Sequence, residues 1–343
     1  MMTRVIRNLL GSALVLFTFT CSPTPSLPPK PAACPEGLLG FIGEYAHNND
    51  TLYVMENGQK LILQTKKDEI FPLEFQNGGS FRFAAGKLSN EAGGVFEQNN
   101  AGVATRLKLG PRLFARLFLG GEGGGTFRIT PLRPVDDLKR EALNASPPVE
   151  RGQFLKPLLV EVTSLDSTIK LDIRYASTNN FASTPFYSQA RAFLQRPAVE
   201  GVVRAHRKLK SLGYGLLIHD AYRPWYVTKM FWEATPEDKR LFVADPSKGS
   251  RHNRGCAVDI TLYDLATGKV VEMPGGYDEF SERAYPHYPG GTSLQRWHRE
   301  LLRWALEQEG FKVYEWEWWH FDFQGWQKYP IDTLTFEQIE SGK

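Results

Sequence analysis

Near residue 150 the apolar residues of this chain change their spacing, and one kind of element cannot serve both patterns. Before that point they alternate with polar residues at a period of two, as in half-buried strands. Beyond it they recur at three and four between short apolar runs, as in helices that alternate with strands. The chain therefore divides, and its 343 residues agree with that, since about 150 residues per domain is usual. Residues 37–134 read as a β-rich domain, 135–157 as a linker containing Pro147-Pro148, 158–330 as a second domain and 331–343 as a tail.

Composition narrows the function. Hydrophobic residues at 42% and charged residues at 23% exclude a disordered or collagen-like chain. A net charge of +3 without a dense Lys/Arg block excludes the electrostatic footprint of a nucleic-acid binder. Three cysteines cannot build a disulfide framework or a four-thiolate zinc site.

The start of the chain reads as an address. Arg4 and Arg7 precede an apolar run from Leu9 to Phe19, followed by Thr20-Cys21-Ser22-Pro23. This is the pattern of a secretory signal over residues 1–21, and the run is short for a membrane span. Cys21 falls where a bacterial lipoprotein is cleaved and acylated, although Thr18-Phe19-Thr20 replaces the usual leucine and small residues. The alternatives are a lipid anchor through Cys21, with Pro-rich residues 22–36 as its tether, and a plain export signal with Cys21 incidental. Either implies the periplasm or cell envelope.

In the first domain, Leu52-Tyr53-Val54-Met55, Asn57-Gly58 and Leu61-Ile62-Leu63 read as a hairpin, with Asn-Gly supplying the positive φ of a primed turn. Phe81 and Phe83 flank Arg82, and Val103, Leu107 and Leu109 continue the alternation after a turn at Asn99–Gly102. Short strands so spaced predict a small barrel or sandwich. Gly120–Gly125 lacks the Gly-Lys-Ser/Thr ending of a phosphate loop and reads as a hairpin tip. His47 reads as a solvated loop residue. The region resembles, in pattern rather than motif, the β-barrel accessory domains of some secreted bacterial serine hydrolases; with no metal-ligand or nucleophile constellation in it, it reads as a spacer or docking module.

In the second domain Ala198, Val202, Ala205, Leu209 and Leu212 form a helical stripe, with Pro197 at its start and Gly213 at its end. Tyr214 to Ile218 reads as a buried strand, Leu294, Trp297, Leu301 and Trp304 as a second helix, and Phe311 to Phe323 as strand again. This predicts an α+β fold with helices on a mixed sheet.

Three clusters in it carry chemistry. In Ser250-Arg251-His252-Asn253-Arg254-Gly255-Cys256-Ala257-Val258-Asp259, a histidine and an aspartate are ligand types for zinc. Asp259 alternates with Val258, Ile260 and Leu262, so it projects away from a core-facing row. In Glu315-Trp316-Glu317-Trp318-Trp319-His320, an acid and a histidine can supply a general base and a third ligand. Residues three apart on a regular strand face opposite sides, so a bulge or a strand end must bring Glu317 to His320. In Asp220-Ala221-Tyr222-Arg223-Pro224, Arg223 can meet a developing oxyanion.

The order of these motifs, together with Leu171-Asp172-Ile173-Arg174-Tyr175-Ala176 and Asn179-Asn180-Phe181, resembles the D-alanyl-D-alanine dipeptidases of the VanX type. These are zinc peptidases related to D,D-carboxypeptidases and to the Hedgehog signalling domain, and the resemblance runs from about Val160 to Phe323. It implies a Hedgehog/D,D-peptidase-like fold and one zinc per chain, held by His252, Asp259 and His320 with a fourth position left for water. It implies Glu317 as general base, Arg223 as oxyanion partner and Asp278 as the acid that pairs with the substrate ammonium. Ser250 is expected to line the same pocket. The implied substrate is the small dipeptide D-Ala-D-Ala. The alternatives are a D,D-carboxypeptidase acting on longer wall peptides and a non-catalytic envelope protein that binds such peptides.

Cys256 reads as a small strand residue rather than a nucleophile, because His252 is better used as a ligand. His206 is expected to be exposed beside Arg204 and Arg207, while His219, His287 and His298 are the competing ligands. The patterns His-Glu-x-x-His and Gly-x-Ser-x-Gly are absent.

Overall fold

The computed structural model describes residues 27–118 and 126–340. The segment read as an export signal, with Cys21, the glycine run 120–125 and residues 341–343 of the expected tail lie outside the described residues.

A short helix, α1 (Glu36–Leu39), leads into eight strands. They are β1 (Gly43–His47), β2 (Asp50–Asn57), β3 (Lys60–Thr65), β4 (Ile70–Phe75), β5 (Ser80–Phe83), β6 (Gly93–Gln98), β7 (Ala104–Leu109) and β8 (Arg112–Arg116). Each pairs antiparallel with the next, and Tyr45↔Arg116 closes β1 onto β8, so the fold is a barrel rather than a sandwich. Closure removes the exposed edges that an open sheet would have to protect. The interior is filled with side chains: Tyr45, Leu63, Leu107 and Phe114 are fully buried in one cluster.

The expected hairpin joins β2 to β3, but its turn lies one residue later than Asn57-Gly58. Gly58 (φ 58) and Gln59 (φ 66) take the two left-handed positions, and the Glu56 carboxylate accepts from Gln59 N. His47 ends β1 as part of the barrel closure, with Nδ1 2.9 Å from Leu113 O, so it is a strand residue rather than a loop residue.

Residues 135–157 differ from the expected linker. They begin with helix α2 (Val135–Leu143), whose Leu138 and Ala142 are fully buried in the second core. Val135, Leu138 and Ala142 have helical spacing, but the surrounding prolines hide the stripe. The described part of the proline-rich tether is docked as well. Trp297 Nε1 donates to Pro28 O at 2.8 Å, and Lys30 Nζ lies 5.2 Å above the Tyr214 ring.

The second domain runs through β9 (Leu159–Glu161), α3 (Val162–Leu165), β10 (Lys170–Leu171), β11 (Phe193–Gln195), α4 (Arg196–Lys210) and β12 (Tyr214–Asp220). It continues with α5 (Trp225–Ala234), β13 (Ala257–Asp264), α6 (Ser293–Glu307), β14 (Phe311–Tyr314), β15 (Glu317–Phe323) and α7 (Phe336–Glu340). Its main sheet has the order β10-β12-β13-β15-β14, parallel only between β10 and β12, and β9 pairs separately with β11. This is the mixed helix-and-sheet architecture expected.

The α4 stripe is buried as far as Leu209, whereas Leu212 lies beyond the helix end and is exposed. His206 is fully buried, not exposed. Thr168 Oγ1 lies 2.9 Å from its Nε2, and Leu216 N donates to its Nδ1 at 3.0 Å, tying α4 to β12. Position 206 falls four after Val202 and three before Leu209, so it belongs to the buried stripe despite its basic neighbours.

Candidate active site

Asp259 on β13 stands directly opposite His320 on β15, and cross-strand partners rise from the same face. Val258, Ile260 and Leu262 point the other way into the helix-covered core. His252 comes from a tight 3₁₀ turn, His252–Arg254, and Gly255 (φ 63) turns the chain from there into β13. Three atoms converge. His252 Nε2 lies 3.1 Å from His320 Nδ1 and 3.3 Å from Asp259 Oδ1, and His320 Nδ1 lies 3.1 Å from that same oxygen.

Whether this cluster suits a cation follows from its outer partners. His252 Nδ1 lies 2.6 Å from Ala221 O, so that nitrogen carries the proton and Nε2 keeps its lone pair. His320 Nε2 lies 2.9 Å from Asp322 Oδ1, so it donates there and leaves the Nδ1 lone pair facing inward. Asp259 Oδ1 is buried and accepts no hydrogen bond. Two lone pairs and an orphaned carboxylate oxygen thus face one another, which is unfavourable without positive charge between them. Burial disfavours a charged His320 ring, yet Asp322 and Asp259 push it up to about 10, so without a metal ion a proton takes the Nδ1 lone pair and supplies the positive charge that the cluster draws in. Burial likewise opposes ionisation of Asp259, but the imidazoles of His252 and His320 hold it well below the usual carboxylate range. The residues fit a metal ion.

Glu317 reaches this cluster, its Oε2 3.5 Å from His320 Nδ1. The geometric difficulty is met in two ways. Glu317 is the first residue of β15, and its pairing with β14 is irregular: Val313 pairs with Phe321, but Tyr314 pairs with Glu317. The interruption over Trp318–His320 lets residues three apart share a side. Burial pushes the Glu317 carboxyl up to about 7, which suits a group that takes and returns a proton near neutral pH.

Arg223 lies beyond a second irregularity. Ile218 pairs with Ile260 but Asp220 with Asp259, so His219 is the extra residue of a bulge. Asp220 Oδ2 accepts from Arg223 Nε and Nη2 at 3.0 and 2.8 Å, and Tyr187 Oη donates to Asp220 Oδ1 at 2.7 Å. Arg223 Nη2 then lies 3.9 Å from Asp259 Oδ2. Asp278 is buried in a left-handed conformation (φ 55), with Tyr175 Oη within 3.0 Å of both carboxylate oxygens. Burial, with Asp259 and Glu317 nearby, pushes its pKa well above the usual range. Ser250 Oγ accepts from His252 N at 3.2 Å. All seven singled-out residues line one cavity of about 330 Å³.

The competing ligands are occupied elsewhere or remote. His219 lies under the Tyr277 ring and beside Asp172, His298 contacts Tyr214 Oη and Glu272 O, and His287 is exposed. Among the described residues, His252, Asp259 and His320 form the metal-capable cluster. Cys256 is buried and its thiol is pushed up to about 12 by that burial, which makes it inert.

Sequence reasoning passed over Asp322, Tyr175, Tyr277 and the role of Asp220. Asp322 was legible, because residues two apart on a strand share a face. Tyr277, whose hydroxyl donates to Asp259 Oδ2 at 3.1 Å, and Tyr175 join the site only through tertiary folding.

Two imidazoles, a carboxylate and an adjoining acid of raised pKa are the donor set of metal-assisted hydrolysis. The family model described as D-ala-D-ala dipeptidase, peptidase M15, matches residues 156–339, and the chain belongs to that family. A D-alanyl-D-alanine dipeptidase of Escherichia coli K12 is 32% identical over 173 residues, covering 50% of this chain and 88% of the relative. Those of Enterococcus faecalis and Enterococcus faecium are 32% and 33% identical over 186 residues, covering 49% of this chain and 92% of each relative. The barrel lies before the residues matched by the family.

Proposed function

We propose that this chain is an exported zinc dipeptidase that hydrolyses D-alanyl-D-alanine in cell-wall peptide metabolism. The observation that carries the reading is the presence of His252, Asp259, His320, Glu317, Arg223 and Asp278 around one small cavity. At about 330 Å³ it lies at the low end of ligand pockets, which suits a dipeptide better than a long chain.

His252, Asp259 and His320 hold the zinc, which when bound supplies Lewis acidity at the scissile peptide. Glu317 accepts a proton from the attacking water as its oxygen bonds to the carbonyl carbon. It returns that proton to the amine nitrogen as the C–N bond breaks. Arg223, fixed by Asp220, faces the carbonyl oxygen as it gains negative charge. Asp278 pairs with the substrate's α-ammonium, the cation that a buried carboxylate among other acids requires. A longer peptide has no ammonium at that position and would leave the Asp278 carboxylate with the Tyr175 hydroxyl but no cation, at a cost of about 1–3 kcal/mol or more. Ser250 lines the same pocket.

The test is zinc analysis of the purified chain, paired with assays on free D-Ala-D-Ala and on a pentapeptide ending in it. The reading expects stoichiometric zinc and cleavage of the dipeptide. Cleavage of the pentapeptide alone replaces it with a D,D-carboxypeptidase, and binding without turnover replaces it with a peptide-binding protein. Export is read by cell fractionation. Palmitate incorporation that disappears in Cys21→Ala marks a lipid anchor, and its absence in the native chain leaves a plain signal.

A further inference from the structure

On the solvent side of the barrel, outward residues such as Glu74, Arg82, Arg106 and Lys108 are exposed, as alternation requires. On β1 to β3 the rule fails. Glu44, Tyr53, Met55 and Ile62 alternate with the interior residues Tyr45, Leu52, Val54 and Leu63, so they point outward, yet they are buried. What covers them is the segment of the second domain that runs from the site to α6. Tyr53, Met55 and Ile62 cluster with Tyr288, and Tyr53 Oη donates to Glu282 Oε2 at 2.6 Å. Glu56 Oε2 accepts from Ser293 N at the start of α6 at 2.7 Å, a favourable place for an anion.

Asp278 belongs to the same segment. The Glu44 carboxylate accepts from Arg283 Nε and Nη2, both at 3.1 Å, with side chains 4% and 10% exposed. Arg283 Nε lies 3.9 Å from Glu279 Oε1, and the fully buried Glu279 accepts from Gly276 N at 2.8 Å and from Ser281 Oγ at 2.7 Å. A chain of contacts therefore leads from a barrel strand to the residues on either side of Asp278, whose left-handed backbone needs outside support. The barrel interior is filled with side chains, and it is the docked outer face, through Glu44 and Arg283, that contacts the loop carrying Asp278.

We propose that the barrel is a positioning device for the substrate-binding loop. By docking β1–β3 against residues 275–293 it holds Asp278 in place for the dipeptide's amino terminus, and Glu44 is its principal positioning residue. What Asp278 recognises rests on the dipeptidase reading; the docking rests on the contacts alone.

The test uses the full chain, with Glu44→Gln, its conservative counterpart Glu44→Asp, Tyr53→Phe, and Arg82→Gln on the solvent side as control. Hydrogen exchange of peptides within 275–285 is read beside steady-state kinetics on D-Ala-D-Ala. Glu44→Gln is expected to speed exchange there about tenfold and to raise KM about tenfold with kcat within about twofold. Glu44→Asp recovers part of both. Tyr53→Phe keeps the ring against Tyr288 and shifts both in the same direction by less, so it decides the matter if Glu44→Gln disturbs the barrel itself. Unchanged exchange at 275–285 in both variants overturns the proposal, as does a loss confined to kcat. A native chain inert on the dipeptide removes the dipeptidase reading alone, because the exchange measurement still decides the docking.

Discussion

The two halves of the molecule obey local rules to different degrees. In the barrel, each strand pairs with its neighbour in sequence and the interior is apolar. Its two buried acids, Glu44 and Glu56, both bond to the other half, Glu44 from the outer face and Glu56 from the end of β2. The second half orders its strands β10-β12-β13-β15-β14, interrupts two pairings, and buries Asp220, Asp259 and Asp278 with Arg223 and His320. Each departure serves the cavity: the irregularity at His219 leads to Arg223, and the one over Trp318–His320 turns Glu317 toward His320. The barrel has an irregularity of its own, between Glu97 and Gln98 in the pairing of β6 with β7, so what sets the halves apart is that the second gathers its buried charge around a cavity.

The largest expected effect lies in the irregular half. Glu317→Ala should lower kcat by about two to four orders of magnitude, with zinc content and melting temperature nearly unchanged. Unaltered turnover removes Glu317 from the mechanism. The matching change in the regular half is Phe114→Ala, which empties part of a fully buried site. It should destabilise the barrel by about 3–5 kcal/mol in denaturant unfolding, while the metal content and the unfolding of the second half stay as in the native chain. If both halves instead unfold in a single shifted transition, the interface makes them one cooperative unit, and the halves differ in architecture but not in stability.

What could be read from sequence follows the same division. The barrel was legible as strands, and its closure was one of two outcomes that alternation allows. The cover over β1–β3 also left a signal. Leu52–Met55 and Leu61–Leu63 are apolar throughout, and a strand apolar on both faces needs a layer on each. In the second half, the motifs containing His252, Asp259 and His320 were visible, but the approach of Glu317 to His320 depended on a bulge that no spacing rule supplies. Tyr175 and Asp278 are 103 positions apart, and only the packing of the aromatic core makes them partners. The buried stripe of α2 and the buried His206 are hidden in the sequence because local composition, prolines in one case and arginines in the other, masks a helical spacing that is present.

A smaller effect tests the support of the metal-capable cluster. Asp322 touches no other member of it, yet it receives the His320 Nε2 proton and so fixes which nitrogen faces inward. Asp322→Asn should weaken zinc binding about 10–100-fold, measured by competition with a chelator, and should lower activity only at limiting zinc. If affinity is unchanged, the ring orientation is held by packing and not by this acid.

The smallest effect sharpens the comparison most. Arg82 and Glu74 are cross-strand partners on β5 and β4, 2.8 Å apart, with side chains 66% and 49% exposed. The Arg283–Glu44 pair has the same chemistry but is nearly removed from solvent. Water and salt screen the first pair, and holding two long side chains in one geometry costs entropy. Arg82→Gln should therefore change stability by less than about 1 kcal/mol and leave KM untouched. Removing Glu44 from the buried pair leaves Arg283 to the more distant Glu279 carboxylate, with little water to compensate, so Glu44→Gln should cost more and be felt across the interface. Unfolding and kinetics measured side by side separate the two. If Arg82→Gln raised KM as Glu44→Gln does, the coupling between the halves would have to run through the barrel as a whole rather than through its docked face.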